Sequence, residues 1–184
     1  AFGYKYFHEI KNLNVYSNPK NLGYGGNQKN GYNYAIKKGY DIVVMLHGDA
    51  QYAPEVLGRI LQPLIEDKAD MVFGSRILGN PLRGGMPLYK FLGNIFLTTI
   101  ENFVLKTNLS EFHSGFRAYK VHALKDIPFN ENTDYFHFDS EIITQLVIAK
   151  KKISEIVIPT FYGNEKNYVN VFKYGFGILG ILGQ

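Results

Sequence analysis

His47, Asp49 and Gln51 alternate along the chain directly after the apolar run Asp-Ile-Val-Val-Met-Leu over 41–46. If extended backbone continues through them, the three side chains point to one side. An imidazole, a carboxylate and an amide oxygen converging there can hold a divalent cation such as Mg²⁺ or Mn²⁺. The plainer alternative, Asp49 capping a turn beside a satisfied His47, fits the spacing equally well, although the C-terminal end of a buried strand is where α/β sheets bind ligands. The turn Gly23-Tyr24-Gly25-Gly26 can present backbone N–H groups to a phosphate. It is neither a P-loop, lacking Gly-Lys-Ser/Thr, nor a dinucleotide fingerprint, since position 28 is Gln, and on this segment alone a tight strand-to-helix connection is the better reading. Glu111 to Arg117 gathers polar groups beside Gly115, but Ser114 has no evident Asp–His relay. Asp139 and Glu141 stand at a helix start. There the plain alternative is that Asp139 is an N-cap worth roughly 1 kcal/mol and Glu141 complements the helix dipole; a general-base role needs more than this segment shows.

These residues need elements to position them, and the pattern supplies strands alternating with helices, the mark of βαβ units and a mainly parallel sheet. A short strand is expected over Asn14–Ser17, then a helix through Ala35 and Ile36 stopping at Gly39. The run 41–46 reads as a strand buried on both faces. Pro54 opens a helix with Val56, Leu57, Ile60, Leu61, Leu64 and Ile65 inward, which Pro63 should kink or shorten. Met71–Phe73 is the next strand, ending in Gly74-Ser75-Arg76, and 80–87 is a loop carrying Arg83. The helical pattern Leu88–Lys106 has an apolar face so broad that it either packs in the core or lies on a membrane surface, with core burial favoured. Phe116–Val121 is a strand, Asp139 opens a helix with Ile142, Ile143, Leu146 and Val147 inward, and Ile153–Ile158 is the last strand. The closing 176–183 is apolar but broken by glycines.

Composition excludes several classes. The 184 residues suffice for one compact domain. With no cysteine there is no disulfide framework, thiolate metal site or thiol nucleophile, which makes the cytosol the default compartment. A formal net charge of +4, with basic residues scattered except at 150–152, gives no nucleic-acid stripe. No run reaches the roughly 18 apolar residues of a membrane span. The chain opens Ala1-Phe2-Gly3-Tyr4, with no initiator Met and no signal peptide.

Five segments in order carry a resemblance across nearly the whole chain: Asn18-x-x-Asn21-x-Gly23-x-Gly25-Gly26-Asn27-x-x-x-Gly31; His47-Gly48-Asp49-Ala50-Gln51-Tyr52-x-Pro54-Glu55; Gly74-Ser75-Arg76; His113-Ser114-Gly115-Phe116-Arg117-Ala118-Tyr119; and Phe138-Asp139-x-Glu141 with Gln145. Together they resemble the family 2 glycosyltransferases of GT-A fold, in particular the branch containing dolichol-phosphate mannosyltransferase. The resemblance implies an α/β, Rossmann-like, mainly parallel sheet flanked by helices, forming a single catalytic domain over 1–184. It implies transfer of a sugar, with inversion, from a nucleotide-diphosphate donor to a lipid-phosphate or saccharide acceptor, assisted by Mg²⁺ or Mn²⁺.

By the same resemblance, Asn21, Gly23, Gly25, Gln28, Asp49 and Arg76 belong to the donor site, Asp49, Gln51 and His47 to the metal, and Asp139, Glu141 and Arg117 to catalysis. His47 stands where the family usually has its first Asp, so the motif is less anionic. A hydroxyl acceptor needs Asp139 as base, whereas a lipid phosphate is already anionic and draws instead on Arg76, Arg83 or Arg117. The family's opening strand with a Pro-x-Tyr-Asn-Glu-like end has no counterpart here. The expectation is a partial domain whose exposed strand edge needs cover from another segment or chain, a homo-oligomer included. The expected setting is cytoplasmic, at the inner face of a membrane, with peripheral contact and no nucleic-acid partner. A non-catalytic sugar- or lipid-binding relative with a decayed metal motif is the rival reading. A nucleotidyltransferase is a third, against which the Ser-Gly-Phe-Arg and Phe-x-Asp-x-Glu segments argue.

Overall fold

The computed structural model describes residues 12–48, 52–159 and 162. Four strands form one sheet in the order β1-β3-β2-β4, with β1 at Ile42–Met45, β2 at Met71–Ser75, β3 at Arg117–Lys120 and β4 at Ile153–Val157. The α/β layering is as expected, but the sheet is mixed. β3 lies antiparallel between β1 and β2, while β2 and β4 are parallel, so β1, β2 and β4 all run the same way. The consequence for function is positional. Arg117, at the start of β3, sits opposite Met45 near the end of β1 and Phe73 in β2. Segments 46–48, 75–76 and 112–116, far apart in sequence, therefore meet at one end of the sheet.

Helices cover both faces, in chain order α1 (Gly23–Lys38), α2 (Leu57–Ile65), α3 (Leu88–Leu105), α4 (Val121–Lys125) and α5 (Phe138–Ile148). Alternation along the strands sorts the core into two layers. Met71, Phe73 and Tyr119 pack with Tyr32, Phe138, Ile142, Ile143 and Leu146 on one face. Val72, Ala118 and Phe116 pack with Ile60, Leu64 and Ile158 on the other. Gly74 in β2 admits Ile158, since a Cβ there would stand 2.6 Å from its Cγ2.

Several expectations need correction. Asn14–Ser17 forms no strand. It has little apolar surface to bury, and Tyr16 remains exposed, its hydroxyl donating to that of Tyr34 at 3.0 Å. The glycines at 23–26 are the first turn of α1 rather than a loop before it. β1 is only half-buried, because among the described residues it pairs on one edge alone. Pro63 leaves α2 intact as far as Ile65, its own carbonyl receiving the N–H groups of Lys68 and Ala69 as the chain turns away. The short helix α4 was not foreseen, and 176–183 lies outside the described residues.

The largest correction concerns α3, whose apolar face is not in the core. Leu88, Tyr89, Leu92, Ile95, Phe96 and Phe103 are all exposed, Phe103 by 85%. At 3.6 residues per turn these six fall within about 120° of the circumference. The face turned inward is largely polar: beside the buried Leu97, Thr98 and Glu101 are buried, Asn94 Nδ2 donates to Glu111 Oε1 at 2.9 Å, and Glu101 Oε2 stands 3.2 Å from His113 Nε2. Hydrogen bonds and charge hold this helix to the domain, and its apolar side faces away. No helix among the described residues is long and apolar enough to cross a membrane.

Candidate functional site

A cleft of about 640 Å³ opens between the first turns of α1 and the last residues of β1, lined among others by Tyr24, Gln28, Val44, His47, Gly48 and Phe136. Its floor is ordered by a chain of polar contacts. The Tyr24 hydroxyl donates to Asp139 Oδ2 at 2.8 Å and lies 3.2 Å from His47 Nε2. Gln28 Nε2 donates to Asp139 Oδ1 at 3.3 Å, while Gln28 Oε1 accepts the Tyr32 hydroxyl at 2.8 Å. Burial first, then the Asp139 charge, raises the Tyr24 pKa well above the ordinary phenol value, so this hydroxyl stays protonated.

Aromatic rings box in His47. Tyr24 and Tyr52 meet it edge-on, with centroids at 5.6 and 5.4 Å, and Phe136 stacks on Tyr24 at 5.0 Å. Gly115 closes the box from below. A Cβ there would lie 2.6 Å from both Cε1 and Nε2 of His47 and 3.2 Å from the Tyr24 hydroxyl. Gly115 in turn donates its N–H to the Tyr52 hydroxyl at 2.8 Å. Glycine is required at this position for close approach, not for a turn.

The two arginines assigned to the site are part of its frame. Arg117 is fully buried: Nε donates to the Ser114 carbonyl at 2.6 Å, Nη1 to the Asp139 carbonyl at 2.7 Å and Nη2 to the Phe112 carbonyl at 2.7 Å. Its Nη1 is also 3.6 Å from Asp139 Oδ1. Burial opposes the guanidinium charge, but Asp139 together with Tyr119 and Tyr24 outweighs it and raises the Arg117 pKa. Arg117 therefore does not reach the cleft to clamp a phosphate. Arg76 is likewise committed: its Nε donates to Glu111 Oε1 at 2.8 Å, its Nη2 to the same carboxylate and to the His113 carbonyl, and its backbone N–H to Glu111 Oε2 at 2.9 Å. Burial pushes the Glu111 pKa up, but Arg76 more than compensates, and the carboxyl titrates below its ordinary value.

The glycine turn also differs from a phosphate cradle. Gly23 gives its N–H to Asn21 Oδ1, and Gly25 gives its N–H to the Asp134 carbonyl at 2.8 Å. A Cβ at Gly23 would meet the Asp134 carbonyl oxygen at 2.4 Å, and one at Gly25 the Thr133 carbonyl oxygen at 2.4 Å. These glycines seat the 132–136 loop against α1, where Lys29 also holds the Asn132 carbonyl and Asp134. Glu141 serves the same loop, accepting the Thr133 N–H at 2.8 Å, and Gln145 pairs reciprocally with Asn132. Asp139 is not an N-cap, since His137 holds that position and Asp139 lies in the first turn of the helix.

Of the predicted residues, the structure brings His47, Gln28 and Asp139 together. It places Arg117 behind them, Gly23 and Gly25 against the loop, and Arg76 and Glu141 in supporting bonds. Asp49 and Gln51 lie outside the described residues. Tyr24 and Phe136 were missed. The available signal was an aromatic ring inside a glycine-rich turn. Among the described residues no three His, Asp or Glu side chains cluster as a metal site. The donor set of the motif, one imidazole with one carboxylate and one amide oxygen, does suit Mg²⁺ or Mn²⁺, and His47 is already held in place by its ring neighbours.

A mixed α/β sheet with a cleft at the end of β1 and a His-Gly-Asp-Ala-Gln motif beside it defines a GT-A type of domain. The profile of "Glycosyl transferase family 2" matches residues 4–128, and the chain belongs to that family. A UDP-N-acetylglucosamine–dolichyl-phosphate N-acetylglucosaminyltransferase of Methanococcus voltae is 34% identical over 146 residues, covering 78% of this chain and 57% of that protein. An undecaprenyl-phosphate mannosyltransferase of Micrococcus luteus is 26% identical over 159 residues, covering 86% and 63%. The chain thus spans little more than half the length of the first of these relatives. Glucosyl-3-phosphoglycerate synthase from Mycobacterium tuberculosis, in complex with phosphoglyceric acid, shares the fold with a TM-score of 0.56 at 14% identity, over 91% of this chain and 55% of that one.

Proposed function

We propose that this chain forms the catalytic core of an inverting glycosyltransferase that moves a sugar from a nucleotide-diphosphate donor to a polyprenyl phosphate. The observation that carries the reading is that His47 and Tyr24 line one cleft at the strand end where this family's motif stands, with Asp139 and Gly115 packed directly behind them. His47, Asp49 and Gln51 would hold Mg²⁺ or Mn²⁺. When bound, the cation neutralises the charge that develops on the departing diphosphate.

Two features favour a lipid phosphate over a sugar hydroxyl as acceptor. Asp139 accepts bonds from Tyr24 and Gln28 and pairs with Arg117, which suits a carboxylate that holds its neighbours in place more than one that collects a proton. An anionic phosphate acceptor needs no such base. The outward apolar stripe of α3 follows directly on the loop of the exposed Arg83, which suits apolar chains along the helix and a phosphate near the loop. Peripheral contact with a membrane surface belongs to the same reading. The relatives named for dolichyl and undecaprenyl phosphate point in the same direction.

The test is release of nucleoside diphosphate from a panel of nucleotide sugars, with Mn²⁺ present or chelated and with polyprenyl phosphate present or absent. Lipid- and metal-dependent release is expected. Release stimulated only by a saccharide would restore Asp139 as base, and no release from any donor would leave the binding-module reading.

Gly115→Ala is expected to lower that turnover by about tenfold to a hundredfold, because an ångström of displacement of a site group has effects of that size. The new methyl must push the His47 ring out of its box. Overpacking at such a point costs about 1–3 kcal/mol of stability, so calorimetry should show a folded protein. Wild-type turnover in this variant would disconnect the boxed His47 from the reaction.

A further inference from the structure

Phe136 lines the cleft beside Tyr24 and keeps 39% of its surface exposed. A single exposed ring is ordinary on a protein surface, but the support under this one is not. It stacks on the Tyr24 ring, with centroids 5.0 Å and planes 29° apart. Tyr24 is itself immobilised, because its hydroxyl donates to the buried Asp139. The backbone is held as firmly. The Phe136 carbonyl accepts the Asp139 N–H at 3.4 Å at the start of α5, the Gly25 N–H bonds the Asp134 carbonyl, Glu141 takes the Thr133 N–H, and Lys29 holds Asn132 and Asp134. The close approach at Gly23 and Gly25 that seats this loop thus ends in a fixed aromatic ring presented at the cleft.

The sheet order shows which part of a nucleotide-sugar donor would meet that ring. β1 leads into the 47–51 motif, whereas the loop of Arg83 and then α3 follow β2. β3 lies between these two strands, so about 10 Å separates them. A donor whose diphosphate lies at the motif must turn its sugar toward β2, where the acceptor elements stand. Its nucleoside then falls on the outer side of β1, which is an edge among the described residues, in the cleft between β1 and α1. We propose that Phe136 is the stacking platform for the planar base of the nucleotide donor, and that the glycine turn of α1 serves to hold it there. This deepens the glycosyltransferase reading and rests on it. Every nucleobase has a π-face that an aromatic side chain can cover, and a ring already fixed in place loses little freedom on binding.

The experiment titrates wild type, Phe136→Ala and Phe136→Tyr calorimetrically with the diphosphates of the common nucleosides and with inorganic pyrophosphate, Mn²⁺ being present throughout. For a nucleoside diphosphate that wild type binds, Phe136→Ala should weaken affinity by about 5- to 100-fold. Phe136→Tyr, which keeps a flat ring, should retain it. Pyrophosphate, which has no base, should bind all three proteins alike, and their melting temperatures should agree. In saturation-transfer difference NMR with the same nucleoside diphosphate, the base protons should carry the strongest signal in wild type and lose it in Phe136→Ala. Equal nucleoside diphosphate affinity in wild type and Phe136→Ala overturns the proposal while leaving the donor site standing. An equal loss for pyrophosphate also overturns it, since Phe136 would then only support the cleft. A wild type that binds no nucleoside diphosphate defeats the donor-site reading and the proposal with it.

Discussion

Asp49→Asn is expected to cut sugar transfer by about a hundredfold to a thousandfold while leaving thermal unfolding where it is. Asp49 is the one carboxylate between 47 and 51, and an imidazole already stands at the position where the family usually has a second acid. The motif therefore has a single negative charge to offer a divalent cation, and neutral Asn removes all of it while keeping size and one oxygen. Removing a group that stabilises transition-state charge typically has effects of this size. The fold is expected to tolerate the exchange, because Asn is isosteric with Asp and β1 already ends at Met45. Product formation on polyprenyl phosphate, measured beside a melting curve, checks both halves. Undiminished turnover would remove Asp49 from the machinery and favour the binding-module reading.

Arg117→Met is expected to act the opposite way, through stability first. The guanidinium occupies three carbonyl groups, those of Phe112, Ser114 and Asp139, and stands beside the nearly buried Asp139 carboxylate. Removing it leaves a buried charge without its counter-ion, which costs about 3–5 kcal/mol. Lysine should not rescue, because one ammonium cannot span three diverging acceptors. The double variant Arg117→Met/Asp139→Asn should recover part of the loss, since it removes the uncompensated charge. Urea unfolding of the three proteins measures this, and a single-variant loss below about 1 kcal/mol would show that the frame does not depend on Arg117. What remains folded should also lose activity, since the 112–116 turn carries Gly115 against His47.

These expectations show how differently the two kinds of information bear on the protein. The motif at 47–51, the acidic pair at 139 and 141, and the glycine turn were all legible, because each is a local run whose residue types restrict its chemistry. Helix and strand positions were legible wherever hydrophobic periodicity was strong, as in α2. The short segment 14–17 misled because a Val and a Tyr among polar residues look like a strand, yet among the described residues the segment pairs with no strand. The broad face of α3 misled for a deeper reason. Periodicity reports that a helix has an apolar side, not which way that side is turned; here the Asn94–Glu111 hydrogen bond and the buried Glu101 beside His113 lie on the inward side.

The amino-acid sequence by itself determined the family and the α/β class, because five ordered motifs carry that much without any contact being known. Only the tertiary structure decided what each residue does there. Arg117 and Arg76 look alike as phosphate clamps in sequence, yet burial and carbonyl partners make both of them struts. Tyr24 looks incidental, yet the antiparallel insertion of β3 and the start of α5 bring Asp139, 115 residues away in the chain, within hydrogen-bonding distance of its hydroxyl. The physical reason is that a side chain's role follows from which donors and acceptors burial leaves it, and those are supplied by segments that only the fold brings together.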